Sequence, residues 1–239
     1  MPMPAAPLDV TGLCAGYGPT RIVEDISFSV AAGGRLAVLG RNGMGKTTLL
    51  ATLMGLSTRH GGAIKIGGED ITARRTSARA ALGFGYVPQT RDIFPSLTVE
   101  ENLRTGLKGR PLSAVDEAYA MFPRLRERRG NFGKQLSGGE QQMLSMARTL
   151  LGKPSILLLD EPLEGLAPVI CDELMALLTE LAATQEMTIV LVEQQIERAL
   201  DFADSVMVLE RGRSSWRGAP QSLISDRALV ERLVGVGIH

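Results

Sequence analysis

Cysteine is nearly absent from this chain of 239 residues, with only Cys14 and Cys171. They lie far apart and match no metal-ligand spacing. Both are therefore expected as reduced, buried, small apolar residues. Histidine is as scarce, limited to His60 and His239. Aromatic residues make up 4% of the chain, so any aromatic in an unusual setting stands out. The formal net charge is zero, which gives no global field to steer nucleic acid. Long hydrophobic runs are also missing. Ile156–Leu159 and Ile189–Val192 have the length of strands, and every apolar run falls far short of the ~18 apolar residues a membrane span needs. The opening MPMPAAPL has no basic stretch and several prolines, so residues 1–7 are expected as a short disordered arm and not a signal peptide. These absences predict a cytosolic protein that reaches a membrane only through a partner. The length fits one large α/β domain, here placed over residues 8–239.

What is present centres on LAVLGRNGMGKTTLL. Leu36–Leu39 reads as a buried parallel strand. Gly40, Gly43, Gly45, Lys46 and Thr47 then fit the phosphate-loop spacing G-x-x-x-x-G-K-[ST]. The glycines let backbone N–H groups turn toward a phosphate. The spacing predicts a helix over Lys46–Met54 with its positive end at the same phosphates, stopped by Gly55. Lys46 supplies a mobile charge for β- and γ-phosphates, Thr47 a hydroxyl for Mg²⁺, and Thr48 a reach to the α-phosphate.

Before this loop, Leu8 to Val30 reads as antiparallel strands turning near Gly16–Pro19. Tyr17 sits in that turn, either packing it or offering a platform for an aromatic base. After the loop, Gly61 to Ile66 with the turn Gly67-Gly68 suggests another hairpin, and Leu82 to Val87 a strand broken by Pro88. Gln89 follows, placed either to coordinate Mg²⁺ or the attacking water, or to serve as a loop residue. Residues 90–150 read as an inserted helical subdomain. Thr98 and Glu101 form a capping box for a helix from Val99 to about Leu107, and Ala114–Phe122 is a second helix. Arg124, Arg126, Arg128 and Arg129 are read as a solvated helix face, because Glu127 interrupts them and no aromatic alternates with them. Ile93, Phe94 and Leu97 form an apolar loop suited to docking.

Ser137 and Glu140 make another capping box, opening a helix that runs to about Leu151. Gly138 and Gly139 in its first turn leave N–H groups uncovered, a second anion-binding device. Ile156–Leu159 then ends in Asp160-Glu161-Pro162. Strand alternation sends the two carboxylates to opposite sides, with Asp160 toward Mg²⁺ and Glu161 toward a water. A helix is predicted from Pro168 to about Ala183, with Ile170, Leu174, Leu177, Leu178 and Leu181 as its core stripe. Met187–Val192 is a further strand leading to Glu193, Gln194 and Gln195. Ser205–Leu209 and Arg213–Trp216 flank the turn Arg211-Gly212. A helical tail capped by Asp226 closes the chain.

With the phosphate loop, Gln89, LSGGEQQ and ILLLDEP in this order, the sequence resembles an ABC transporter ATP-binding subunit from about residue 8 onward. GRNGMGKTT, YVPQ-x-R-x-IFP-x-LTVEENL, EGLAP and LVEQ look like the shorter ATPase subunit of branched-chain amino acid importers. Subunits of urea, short-amide and other polar amino acid importers are similar. The resemblance implies an α/β fold: a P-loop NTPase core with a RecA-like, mostly parallel sheet, an antiparallel β-subdomain and an inserted helical subdomain. It implies ATP and Mg²⁺ as cofactors, with Tyr17 on adenine and Gly40, Arg41, Asn42, Gly43, Met44, Gly45, Lys46, Thr47 and Thr48 around the phosphates. Thr47, Gln89 and Asp160 would hold Mg²⁺, and Glu161 would act as general base. Ser137, Gly138, Gly139 and Glu140 would meet the nucleotide of a second, non-identical ATP-binding subunit in a head-to-tail dimer. The other partners implied are two membrane permeases, indirectly a periplasmic solute-binding protein, and no nucleic acid. The implied location is the cytoplasmic face of the inner membrane. Gln194 stands where the family usually has a switch histidine. It is expected either as a neutral γ-phosphate sensor or as a strand cap pointing away. A soluble ABC ATPase outside transport and a degenerate nucleotide-binding subunit are the rival readings. The first usually carries two ATPase units or a long coiled coil, and the second is opposed by intact Lys46, Asp160 and Glu161.

Overall fold

The computed structural model describes residues 4–184 and 187–225. A hairpin, β1 (Leu8–Tyr17) and β2 (Thr20–Val30), leads through β3 (Arg35–Leu39) into α1 (Lys46–Met54). β4 (Thr58–Ile66), β5 (Glu69–Asp70), α2 (Thr76–Ala81) and β6 (Phe84–Val87) follow. Between β6 and the next strand lie α3 (Val99–Thr105), α4 (Val115–Met121), α5 (Pro123–Glu127) and α6 (Gly138–Leu151). The chain then alternates: β7 (Ile156–Asp160), α7 (Pro168–Ala183), β8 (Thr188–Val192), α8 (Ile196–Phe202) and β9 (Ser205–Glu210). β10 (Arg213–Gly218) and α9 (Pro220–Ile224) complete the described part.

Two sheets result. One is four-stranded and antiparallel, in the order β2-β1-β4-β5. The other has the order β10-β9-β3-β8-β7-β6 and is parallel except for the β9–β10 hairpin. Parallel strands bury both faces, which explains their unbroken apolar runs. Alternation still divides the labour. Leu36, Val38, Ile156, Leu158, Val190 and Val192 pack toward α1 and the antiparallel sheet. Leu157, Leu159, Ile189 and Leu191 pack toward α3–α7, while Ala37, Leu39, Val206 and Val208 pack toward α8 and α9.

Helix α1 is therefore enclosed on all sides, with Lys46 and every residue from Thr48 to Met54 buried. Its far end is closed by Gly55 in the left-handed conformation (φ 80°) and by Arg79 of α2. Arg79 is 3% exposed and pairs with no carboxylate among the described residues. It donates instead to the carbonyls of Thr52 and Leu53, both at 2.7 Å, and of Thr72 and Arg74, both at 2.9 Å. A cation is favourable at the negative end of a helix.

Several expectations are corrected. The described end of the supposed disordered arm is tied down: the Ala6 carbonyl accepts from the Thr188 hydroxyl at 2.7 Å and the Pro7 carbonyl from Gly67 N–H at 2.9 Å. Cys14 is only half-buried, and its sulfur accepts from Asp25 N–H at 3.4 Å. Helices α2 and α8 stand where no element was expected. Ile93 packs inward against the helical core, so Phe94 is the exposed member of the apolar loop. The capped tail at Asp226 lies outside the described residues.

Candidate active site

The ends of four neighbouring parallel strands deliver the site. β3 runs into the phosphate loop, β7 into Asp160-Glu161, β8 into Glu193-Gln194, and β6 into Pro88-Gln89. The carboxyl edge of an open α/β sheet is where ligands bind. A cavity of about 390 Å³ opens there, lined by Asn42, Gly43, Lys46, Thr47, Thr48, Gln89 and Glu161, with Gly45 and Ile22 of β2.

The loop holds its shape through glycines at positive φ, a backbone that other residues adopt only under strain. Gly40 has φ 146°, and a Cβ there would stand 2.4 Å from the Leu209 carbonyl oxygen of β9. Gly45 caps α1 in the left-handed conformation (φ 99°), with no side chain on the helix's first N–H groups and no acid in its first turn. Those bare donors at a positive helix end suit a phosphate. The Lys46 ammonium lies 2.8 Å from the Gly40 carbonyl, 3.2 Å from that of Arg41, and 3.3 Å from Glu161 Oε1. Met44 faces away from the cavity; its sulfur accepts from Arg211 N–H at 3.2 Å and its carbonyl from Gly212 N–H at 3.1 Å.

Asp160 is fully buried. Its Oδ1 accepts from the Thr47 hydroxyl at 3.2 Å and its Oδ2 from the Tyr86 hydroxyl at 3.1 Å. Burial pushes the Asp160 carboxyl above the usual aspartate range, against the pull of those two hydrogen bonds. Burial and the adjacent Asp160 charge likewise keep the Tyr86 phenol protonated, so it remains a donor. The paired oxygens of Thr47 and Asp160 are the hard ligands Mg²⁺ prefers. Among the described residues, no group of three or more His, Cys, Asp or Glu offers another metal centre.

The expected divergence of Asp160 and Glu161 is overturned. The strand ends at Asp160, and Glu161 takes a left-handed backbone (φ 49°), so strand alternation no longer applies to it. Both carboxylates consequently reach the phosphate loop. Glu161 also receives the side-chain amides of Gln194 and, at 3.2 Å, Gln89. Gln89 donates further to Glu164 at 2.6 Å, so its amide is turned to these acids and away from Thr47. Gln194 thus points into the site.

Ser137, Gly138, Gly139 and Glu140 are not brought to this cavity. The Ser137 hydroxyl accepts Glu140 N–H at 3.3 Å, and the Glu140 carboxylate accepts Ser137 N–H at 2.8 Å and Arg128 at 3.3 Å. The Glu140 side chain is thereby committed to the cap. Arg128, Arg126 and Arg124 pair with Glu140, Asp116 and Glu173, as a solvated helix face does. Tyr17 is half-exposed (49%) and pairs with Thr20 across the hairpin that carries Ile22 to the cavity. Tyr86, Glu164 and Glu193 escaped the sequence reading. Tyr86 lies within YVPQ and Glu193 directly follows an all-buried strand, signals that could have marked both.

Comparison with known proteins places this arrangement. Residues 23–164 match the family model described as ABC transporter. The chain is 36% identical over 228 residues to the probable branched-chain amino acid transport ATP-binding protein LivF of Archaeoglobus fulgidus, covering 94% of this chain and 97% of that one. It is 37% identical over 223 residues to the high-affinity branched-chain amino acid transport ATP-binding protein BraG of Pseudomonas aeruginosa, covering 92% and 95%. A crystal structure of a nucleotide-free ATP-binding cassette from an ABC transporter superposes with a TM-score of 0.83 at 21% identity, covering 98% of this chain and all of that one.

Proposed function

This chain belongs to the ABC transporter family as an ATP-binding subunit, and we propose that it hydrolyses ATP to drive uptake of branched-chain amino acids through separate permease subunits. The meeting of Lys46, Thr47, Gln89, Asp160, Glu161 and Gln194 at one sheet edge carries the hydrolytic reading. The names of the two relatives support the cargo.

In this reading Tyr17 stacks on adenine, and the N–H groups from Gly40 to Thr48 hold the phosphates. Lys46 trades its contact with Glu161 for phosphate oxygens. Thr47, Gln89 and Asp160 hold Mg²⁺, which when bound offsets charge on the β- and γ-phosphates. Gln89 must turn from Glu164 to do so. Glu161, released from Lys46, accepts the proton of the attacking water. Gln194 donates one hydrogen bond to the γ-phosphate. It cannot ionise near neutral pH. Ser137, Gly138 and Gly139 serve the nucleotide of the opposing subunit in a head-to-tail dimer.

The permease is assigned to a groove of about 390 Å³ between α2, β6 and the helical insert, whose wall includes Leu56, Pro88, Phe94 and Arg148. Phe94 is 46% exposed there, with the Arg148 guanidinium 5.1 Å from its ring centre. Among the described residues no helix is long and apolar enough to cross a membrane, so attachment to the cytoplasmic face is assigned to the permease. Reconstitution with permeases and a solute-binding protein of a branched-chain amino acid importer tests the cargo. ATP-dependent leucine uptake, competed by isoleucine and valine, is the expected result; uptake of urea instead would replace the cargo.

A further inference from the structure

Glu193 is 2% exposed, and the functional reading above gives it no task. Its carboxylate is spent on the main chain. Oε1 accepts Leu163 N–H at 2.9 Å, while Oε2 accepts Gln194 N–H at 2.9 Å and Gln195 N–H at 3.2 Å. Backbone amides can only donate, so three of them around one carboxyl match its ionised form and leave a proton no acceptor. Burial, opposed by these amides, pushes the carboxyl above its usual range, so the ionised form is held at a cost.

The three amides belong to two different loops. Leu163 follows β7 in the segment that begins with Glu161, and Gln194 and Gln195 follow β8. A second, softer tie joins the same loops. The Gln195 side-chain amide approaches the Cys171 sulfur at 3.9 Å, and that thiol points to the Leu163 carbonyl at 3.7 Å. The side chains of Glu161 and Gln194 meet across the gap that these ties span. We propose that Glu193 is a positioning residue for ATP hydrolysis, its buried carboxylate clasping the loop of Glu161 to the loop of Gln194 and so setting the spacing of the two side chains. This rests on the hydrolytic reading above.

Glu193→Gln tests it, because the new amide group must face a backbone donor on one side of the clasp. The expected result is a fall in kcat of about 10- to 100-fold, the scale of a displacement near 1 Å, with KM for ATP changed by less than about twofold. Glu193→Asp keeps both acceptor oxygens and is expected to recover part of the rate; it also serves if the Gln variant does not fold. Hydrogen exchange at the Leu163, Gln194 and Gln195 amides, slow in the parent, is expected to quicken in Glu193→Gln. Unchanged kcat in a folded Glu193→Gln overturns the proposal. So does a joint fall of kcat, ATP affinity and melting temperature that Asp does not relieve, the pattern of a merely structural residue. A parent protein without ATPase activity would sink the hydrolytic reading instead. The exchange experiment, which needs no turnover, still decides whether the clasp exists.

Discussion

Glu161 is held by Lys46, Gln89 and Gln194 in a cavity whose walls could as well hold phosphate. The ion pair with Lys46 joins side chains only 4% and 5% exposed. Removing one member of such a pair strands the other, whereas a bound phosphate replaces it as a counterion for Lys46. Glu161→Gln is expected to lower steady-state turnover by about 10²–10⁴-fold while ATP still binds. Turnover and nucleotide affinity measured on the same preparation check this, and near-parent turnover would remove Glu161 from the role of base. For Gln194, replacement by Ala is expected to slow turnover by leaving a phosphate oxygen short of a donor. Gln194→His should keep activity and add an ionisation near ~6.5 to the pH–rate profile. A flat response to Ala would return Gln194 to a local structural part.

At the scale of elements, α1 depends on α2 for its C-terminal closure. Arg79→Ala leaves the carbonyls of Thr52 and Leu53 without that donor, and the expected loss is about 2–3 kcal/mol. Urea denaturation of the two proteins with equal slopes would measure it; a coincident midpoint would contradict the cap. Helix α2 shows why some elements could not be read. Its buried side chain is the cation Arg79, so it carries no apolar stripe to betray it. Two of its four partners are carbonyls on another helix, invisible to any local window. By contrast, α1, α3 and α6 were legible in type and start, because glycine spacing and capping boxes are local chemistry. Tyr86, Glu164 and Glu193 escaped that local reading, whereas the neighbours Lys46, Thr47, Asp160 and Glu161 were legible from their motifs. Their directions were not: Asp160 and Glu161 share a target because the strand stops between them, and Glu193 faces inward because amides of two loops converge on it.

For the whole molecule, the uncovered amides at Gly138 and Gly139 lie apart from the cavity beside Lys46, so in the proposed head-to-tail pairing they would serve the nucleotide of a second subunit. In a forced pair, one subunit carrying Lys46→Ala and the other Ser137→Arg should regain one composite site and with it ATPase activity. Silence from a pair shown to be folded and associated would argue against action between subunits. The outer groove makes a separable claim. Phe94→Asp is expected to abolish coupled uptake while ATP hydrolysis by the isolated subunit persists, and uptake at the parent rate would free the groove from the permease.

Gly40 changes how inactive variants of this protein should be interpreted. A methyl group there meets the Leu209 carbonyl at 2.4 Å before it meets any nucleotide. Gly40→Ala would act as a wedge between β3 and β9, the pair on which Leu39 and Val208 lie in register. A screen that scored such a variant only by lost ATPase activity would file it among phosphate-binding defects. Its melting curve would show instead that the sheet had opened.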